Sequence, residues 1–392
     1  MRLTRSAATA LIASVCLVAT LTGCQLGGDA EQATGEVVIG ADLELSGATA
    51  STGKAYQRAL ELKVQQINDS GALGGRKIRL DIKDNRSDSS ESLRNISEFT
   101  ANPAVSAIIM GSCNECAVGA VKTVNDRKVP TIALASGTSV ASPTADRRFM
   151  FKLGPNAADT AAALAVEFKR QNLRKIGLLR TDDAYGQEGE DELRKVKISL
   201  AEVQRVKATD TDVSQAADAL SKSDKKLDAI VVWTTPEQSM LAANNLRTAR
   251  FTGKLFFDAA SAGELFLNDN VSRAADSSTL VFTQTMVIDD VIATTPAKAA
   301  RKQWFRDYTA RYGSYYGFAS FAADAIQMIV DAIAGDPGSG AVDRERLRTV
   351  LETAQLDGLS GLIRMTPTNH SGLTPQALTM LVARGGRWRL AG

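Results

Sequence analysis

The run Ala107-Ile108-Ile109-Met110 leads into Gly111-Ser112-Cys113-Asn114-Glu115-Cys116 and then into an amphipathic stretch over residues 117–127. Four apolar residues without polar alternation suit a strand covered on both faces, the habit of parallel sheets. The unit therefore reads strand, polar loop, helix. Val37-Val38-Ile39, Ile176-Gly177-Leu178-Leu179 and Ala229-Ile230-Val231-Val232-Trp233 open units of the same kind. Helical periodicity is readable over residues 54–70, 89–100, 157–171, 187–200, 213–223, 237–249, 296–312, 318–334 and 344–353. Strand and helix alternating in this way predict a doubly wound α/β fold. The rhythm runs once to about Phe151 and restarts after Lys152-Leu153-Gly154-Pro155-Asn156, where Gly-Pro marks a connection between two lobes. No short-period repeat is present, which excludes a solenoid.

The N-terminus is of a different character. Arg2 and Arg5 precede an uncharged apolar run from Ala7 to Leu21, too short for a membrane span and suited to an export signal. Leu21-Thr22-Gly23-Cys24 resembles the lipobox of bacterial lipoproteins, so residues 1–23 are expected to be removed and Cys24 acylated. Attachment to the membrane would run through that lipid alone, on the extracytoplasmic face, and needs more than one acyl chain to be stable. Residues 24–35 read as a tether. With the signal set aside, 369 of the 392 residues remain, enough for two cored domains, and 44 of the 46 basic residues face 44 acidic ones. A balanced charge without a basic run gives no support for a nucleic-acid partner. The stretch 318–334 carries Asp324, Gln327 and Asp331 on one helical face, so it is a core-facing helix rather than a second span.

Ligands of open α/β sheets sit beyond the carboxyl ends of strands. Here those loops are Leu45-Ser46-Gly47-Ala48 through Thr52-Gly53, 111–116, Leu134-Ala135-Ser136-Gly137-Thr138-Ser139 and Thr181-Asp182-Asp183-Ala184-Tyr185-Gly186. Glycines and hydroxyl residues there let a ligand approach backbone N–H groups, and a helix N-terminus favours an anion by about 0.3–1 kcal/mol. Cys113 and Cys116 are the thiols left after processing, in an oxidising compartment. Three apart at a helix start, they can close a disulfide, act as a redox pair with lowered thiol pKa, or contribute to a zinc site. Zinc would need two further ligands, and the single histidine, His370, lies far along the chain. A structural disulfide is the preferred reading, with no metal and no cofactor. No nucleophile elbow, phosphate loop or metalloprotease histidine pair occurs, so no catalytic set is expected.

Several stretches together resemble the periplasmic binding proteins of the leucine/isoleucine/valine type, the type I substrate-binding proteins of ABC importers. They are Val38-Ile39-Gly40 with Leu45-Ser46-Gly47; Ile67-Asn68-Asp69-Ser70-Gly71-Ala72-Leu73-Gly74-Gly75-Arg76 leading to Asp84; Asp183-Ala184-Tyr185-Gly186; residues 318–329; and Leu359-Ser360-Gly361 through Asn369-His370. The resemblance implies two doubly wound parallel-sheet lobes joined by three crossovers, one of residues 36–152 plus 285–364 and the other of 153–284 plus 365–392. Carried over residue by residue, it puts Asn114 and Glu115 where a ligand carboxylate meets a hydroxyl and amides. It makes the loop from Ala135 through Ser136 and Thr138 a second polar contact, alongside Ser46 from the first loop. It makes Tyr185 a cleft-lining aromatic and puts the amine-binding acid near Ala259 or Ala260, with Asp258 just before. Trp233, Thr234 and Phe257 are candidates for an apolar wall. The function implied is capture of a small amino acid, related carboxylate or amide by a monomeric lipoprotein that hands it to an ABC permease. The alternatives are a sensor of the same fold feeding a membrane receptor, and a thiol-disulfide enzyme using Cys113 and Cys116.

Overall fold

The computed structural model describes residues 35–262, 273–288, 290–335 and 341–391. The signal segment, Cys24 and most of the tether lie outside the described residues. Five strands, β1 (Glu36–Leu43), β2 (Lys77–Asp84), β3 (Val105–Met110), β4 (Thr131–Ala133) and β5 (Met150–Lys152), form a parallel sheet in the order β2-β1-β3-β4-β5. Helices α1 (Ala50–Ser70), α2 (Ser89–Ala101) and α3 (Asn114–Asp126) make its crossovers. Every residue of β3 is buried, as the unbroken apolar run requires. Alternate residues face opposite ways: Val38, Ile108 and Met110 pack with Ile96, Phe99 and Val124, while Ile39, Ile109 and Phe151 pack with Tyr56 and Leu60 of α1. Each such aliphatic side chain contributes about 1.5–3 kcal/mol.

The second sheet begins with β6 (Ile176–Thr181), β7 (Leu200–Val206), β8 (Ala229–Trp233), β9 (Lys254–Phe257) and β10 (Thr279–Thr283), parallel in the order β10-β9-β8-β6-β7. Its helices are α4 (Ala157–Gln171), α5 (Ala184–Lys195), α6 (Ser214–Ser221) and α7 (Pro236–Thr248). From β10 the chain returns through α8 (Pro296–Tyr312), α9 (Ala319–Ala334) and α10 (Arg344–Leu351), with α9 packed along α1. A small antiparallel pair, β11 (Gln355–Asp357) and β12 (Leu362–Arg364), follows. The chain then re-enters the second sheet as β13 (Leu378–Arg384) and β14 (Arg387–Leu390). The segment after β5 and the segment before β13 lie side by side: Lys152 donates its N–H to His370 O at 2.9 Å and accepts from Gly372 N at 2.8 Å.

Three differences from the sequence reading have local causes. The second sheet is not wholly parallel, because β13 pairs antiparallel with both β10 and β14. The tight turn Gly385-Gly386 has φ of 61° and 75°, values that suit a two-residue hairpin and that side chains resist. Helices α3 and α5 start three residues early, because Cys113 Sγ accepts from Cys116 N and Asp183 Oδ1 from Gly186 N. Asp324, read as part of a polar helical face, is buried and accepts from the amides of Leu359 and Ser360 at 2.7 Å each.

Candidate ligand-binding cleft

The carboxyl ends of β1, β3 and β4 face those of β6 and β8 across a cavity of about 260 Å³. From the first lobe, Thr49, Thr52 and Tyr56 line it from α1 and its leading loop, and Ser112, Asn114 and Glu115 from the turn into α3. Ser136 and Phe318 complete that wall. Asp183, Tyr185, Thr235 and Ala260 form the opposite wall. The volume falls below the range of drug-sized sites, so the occupant is small.

The turn into α3 is already engaged from inside the chain. Glu44, fully buried just after β1, accepts from Ser112 N at 3.1 Å with one carboxylate oxygen and from Cys113 N at 2.9 Å with the other. A Cβ at Gly111 would stand 2.1 Å from the Glu44 carboxylate, so only glycine fits beside it. Burial pushes the Glu44 carboxyl up, and the two amides act against that by holding its charged form. Cys113 and Cys116 are joined in a disulfide across the first turn of α3, with Cα atoms 5.2 Å apart. Asn114 Oδ1 accepts from Gly137 N at 2.6 Å and fixes the β4 loop against this turn.

On the far wall, Asp183 caps α5, its Oδ1 accepting from Gly186 N at 2.8 Å and from Thr181 Oγ1 at 2.7 Å. The Tyr185 hydroxyl donates to Asp258, and this contact holds the ring at the cavity. Asp258 is buried behind Ala260 and Tyr185, and desolvation pushes its pKa up to about 8. Its carboxyl is therefore mostly neutral at pH 7. Two hydrogen bonds join the lobes beside the cavity. Thr138 N donates to Glu188 Oε1 of α5 at 2.7 Å, and Ser51 Oγ to Glu237 Oε1 of α7 at 2.9 Å. The arrangement described is thus a closed one.

Of the residues singled out by sequence, Asn114, Glu115, Ser136, Tyr185, Cys113 and Ala260 come together on the cavity wall, Ala260 bringing no acid there. The others do not line it. Ser46 is exposed and donates to Asp84 Oδ2 at 2.7 Å, holding the first loop to β2. Ala135 is buried in the core behind the loop. Thr138 serves the bond between the lobes rather than the cavity. Trp233 points to the face of β8 covered by α4 and α5, so tightly that a Cβ on Gly189 would be 2.5 Å from its indole. Thr234 is buried, its hydroxyl 3.0 Å from Ser239 Oγ. Asp258 does not line the cavity itself and stands behind Tyr185 and Ala260, accepting from both. His370 is buried between the lobes' connections, stacked on Phe151 at 4.4 Å. Sequence reasoning passed over Glu44 and Tyr56; it placed Thr49 and Thr52 in a candidate loop without singling them out, and quoted Phe318 without a ligand role. For Glu44 one signal existed: a carboxylate inside an apolar strand end, two residues before Ser46-Gly47, needs a partner. Among the described residues, no group of three or more His, Cys, Asp or Glu is placed to hold a metal ion. No helix among them is long and apolar enough to cross a membrane.

Two α/β lobes closing on a cavity at their strand ends define a class of proteins that capture small molecules. A family model described as periplasmic binding protein matches residues 36–386, and the chain belongs to that family. It is a solute-binding family, not a family of enzymes. Among solved structures, the chain is similar to an extracellular ligand-binding receptor from Rhodopseudomonas palustris HaA2, at 21% identity and a TM-score of 0.79. That match covers 91% of this chain and 99% of the other. It is also similar to a leucine-binding protein from Thermotoga maritima, at 18% identity and a TM-score of 0.76, covering 91% and 98%. A branched-chain amino acid transporter substrate-binding protein from Streptococcus pneumoniae, in complex with isoleucine, matches at 21% identity and 0.76, covering 90% and 98%. These likenesses carry the fold.

Proposed function

We propose that the protein is a lipid-anchored extracytoplasmic solute receptor that binds a small ligand between its lobes and presents it to an ABC permease. The observation that carries this reading is the cavity itself, walled by Asn114 and Tyr56 from the side of one sheet and by Tyr185 and Thr235 from the side of the other. A ligand touching both walls stabilises the closed arrangement by its differential affinity for it, and a permease that recognises closure reads occupancy. The first lobe takes residues 36–152 and 285–364, the second 153–284 and 365–392. This division is supported by the membership of β1–β5 in one sheet and of β6–β10, β13 and β14 in the other. Hinge motion then falls on residues 153–156, on the Gln284–Val287 turn and on the segment before β13. Anchoring at Cys24 rests on the Leu21-Thr22-Gly23-Cys24 pattern.

The test is a thermal-shift screen of amino acids, amides, amines and small carboxylates against the purified protein. Small-angle scattering then follows for each compound that stabilises it. A stabilising compound that reduces the radius of gyration supports the reading. Stabilisation with no change of shape for any compound would remove hinge closure from it.

A further inference from the structure

The turn into α3 is the natural cradle for a ligand carboxylate, because its amides are free donors at the positive end of a helix dipole. In this chain the cradle is filled. Glu44 takes the amides of Ser112 and Cys113 with its two oxygens, and Gly111 leaves the space its carboxylate occupies. While Glu44 holds that pair of amides, a ligand carboxylate cannot use them. The rest of the cavity points the same way. Its charged lining residues, among the described ones, are Glu115 and Asp183, and neither Lys nor Arg lines it. Asp183 Oδ1 is used by Thr181 and Gly186, whereas Oδ2 has no partner among the described residues. The body of the cavity is aromatic: Tyr56, Tyr185 and Phe318 line it, with Tyr56 and Phe318 edge-to-face at 6.2 Å. Burial drives the Tyr56 phenol well above its ordinary pKa, so it stays neutral and presents an electron-rich ring. Carboxylates on the two facing walls, with aromatic faces between them, suit a cation with a short apolar body.

We propose that the cleft selects small organic amines that lack a carboxylate, with the cationic nitrogen held by Glu115 and Asp183 and the apolar body against Tyr56, Tyr185 and Phe318. Glu44 is then the specificity-determining residue, because it occupies from within the anion position an amino acid would need. This inference rests on the solute-receptor reading above and narrows its ligand class.

A matched series with one isobutyl body separates the possibilities: 3-methylbutylamine, leucinamide, leucine and 4-methylpentanoate, each titrated calorimetrically into the full chain purified in detergent. The amine and the amide are expected to bind at least tenfold more tightly than leucine, and 4-methylpentanoate not to bind measurably. Glu115→Gln should weaken the amine tenfold or more while leaving the thermal midpoint in place. Glu44→Gln should narrow the gap between leucine and the amine. If that variant does not fold, the wild-type series and Glu115→Gln still decide the matter. Leucine or 4-methylpentanoate binding as tightly as the amine overturns the inference and leaves the solute-receptor reading intact. Failure of both the amine and leucinamide overturns it as well. Only the absence of any stabilising compound in the wider screen would count against the receptor reading itself.

Discussion

The two hydrogen bonds that bridge the lobes make closure measurable. Thr138 N to Glu188 Oε1 spans 2.7 Å and Ser51 Oγ to Glu237 Oε1 spans 2.9 Å, each with a carboxylate acceptor. A buried bond to a charged group is worth about 1.5–3 kcal/mol, but Thr138 is exposed and the other three residues are only half-buried. Solvent competition brings each to about 0.5–1.5 kcal/mol. Glu188→Ala and Glu237→Ala remove these two bonds, which bridge the lobes only when they are closed. If the open form dominates without ligand, apparent affinity scales with the closed fraction, and each variant should weaken binding about 2–10-fold. The carboxylates sit on different helices and bond different segments of the first lobe, so the double variant should lose close to the product of the two factors. Calorimetry with the tightest compound from the matched series gives the affinities, and scattering of the ligand-bound forms gives the shape. Affinities within 1.5-fold of wild type in all three variants, with unchanged thermal midpoints, would refute the role of these bonds in closure.

Tyr185→Ala removes a ring that lines the cavity and the hydroxyl that engages Asp258, and should cost about 1–3 kcal/mol of binding with the fold intact, as calorimetry would show. Lys152 is fully buried, and desolvation lowers its pKa to about 7 although Glu188 and Asp159 pull it back up. Between pH 7 and 10.5 the unfolded chain therefore holds the proton that the folded chain has lost, and stability rises with pH, by at most about 1.4 kcal/mol per pH unit. Lys152→Met should remove that rise, as denaturant titrations at pH 6.5 and 9.5 would reveal; an unchanged slope would assign it elsewhere. Exported protein, denatured without reductant, should show no alkylatable thiol by mass spectrometry, because Cys113 and Cys116 are bonded to each other. Cys24→Ser should release the protein or leave residues 1–23 attached, and mature-sized protein still in the membrane would contradict acylation.

Central strands were legible because burial on both faces writes an unbroken apolar run: β3, β6 and β8 are buried at every position. The edges of the sheets were not. In β2 and β7 most residues are only partly buried, and Arg79, Asp81, Glu202 and Arg205 interrupt any run. Of the last pair only β14 alternates, as Arg-Trp-Arg-Leu; β13 carries the apolar run Met380–Ala383 but is buried at Leu381 and Ala383 alone, and its antiparallel pairing with β10 is not written in either segment. Helix bodies were read well, and their starts failed where the cap was a cysteine or lay inside a loop assigned to ligand.

The site follows the same logic one level up. A loop's place at a strand end is a property of local sequence, so the segments around Asn114, Ser136 and Tyr185 were found. Which side chain of a loop faces the ligand depends on strand parity and on distant partners. Trp233 ends a strand, yet its parity turns it toward α5, where Gly189 makes room for the indole. Glu44 shows the limit most clearly. It precedes the α3 turn by 68 positions and reaches it because β1 and β3 are neighbours in the sheet. Reading the α3 amides from the sequence alone gives an anion site waiting for a ligand. Adding one buried carboxylate from the adjacent strand shows that two of the amides before that helix are already taken from within the chain.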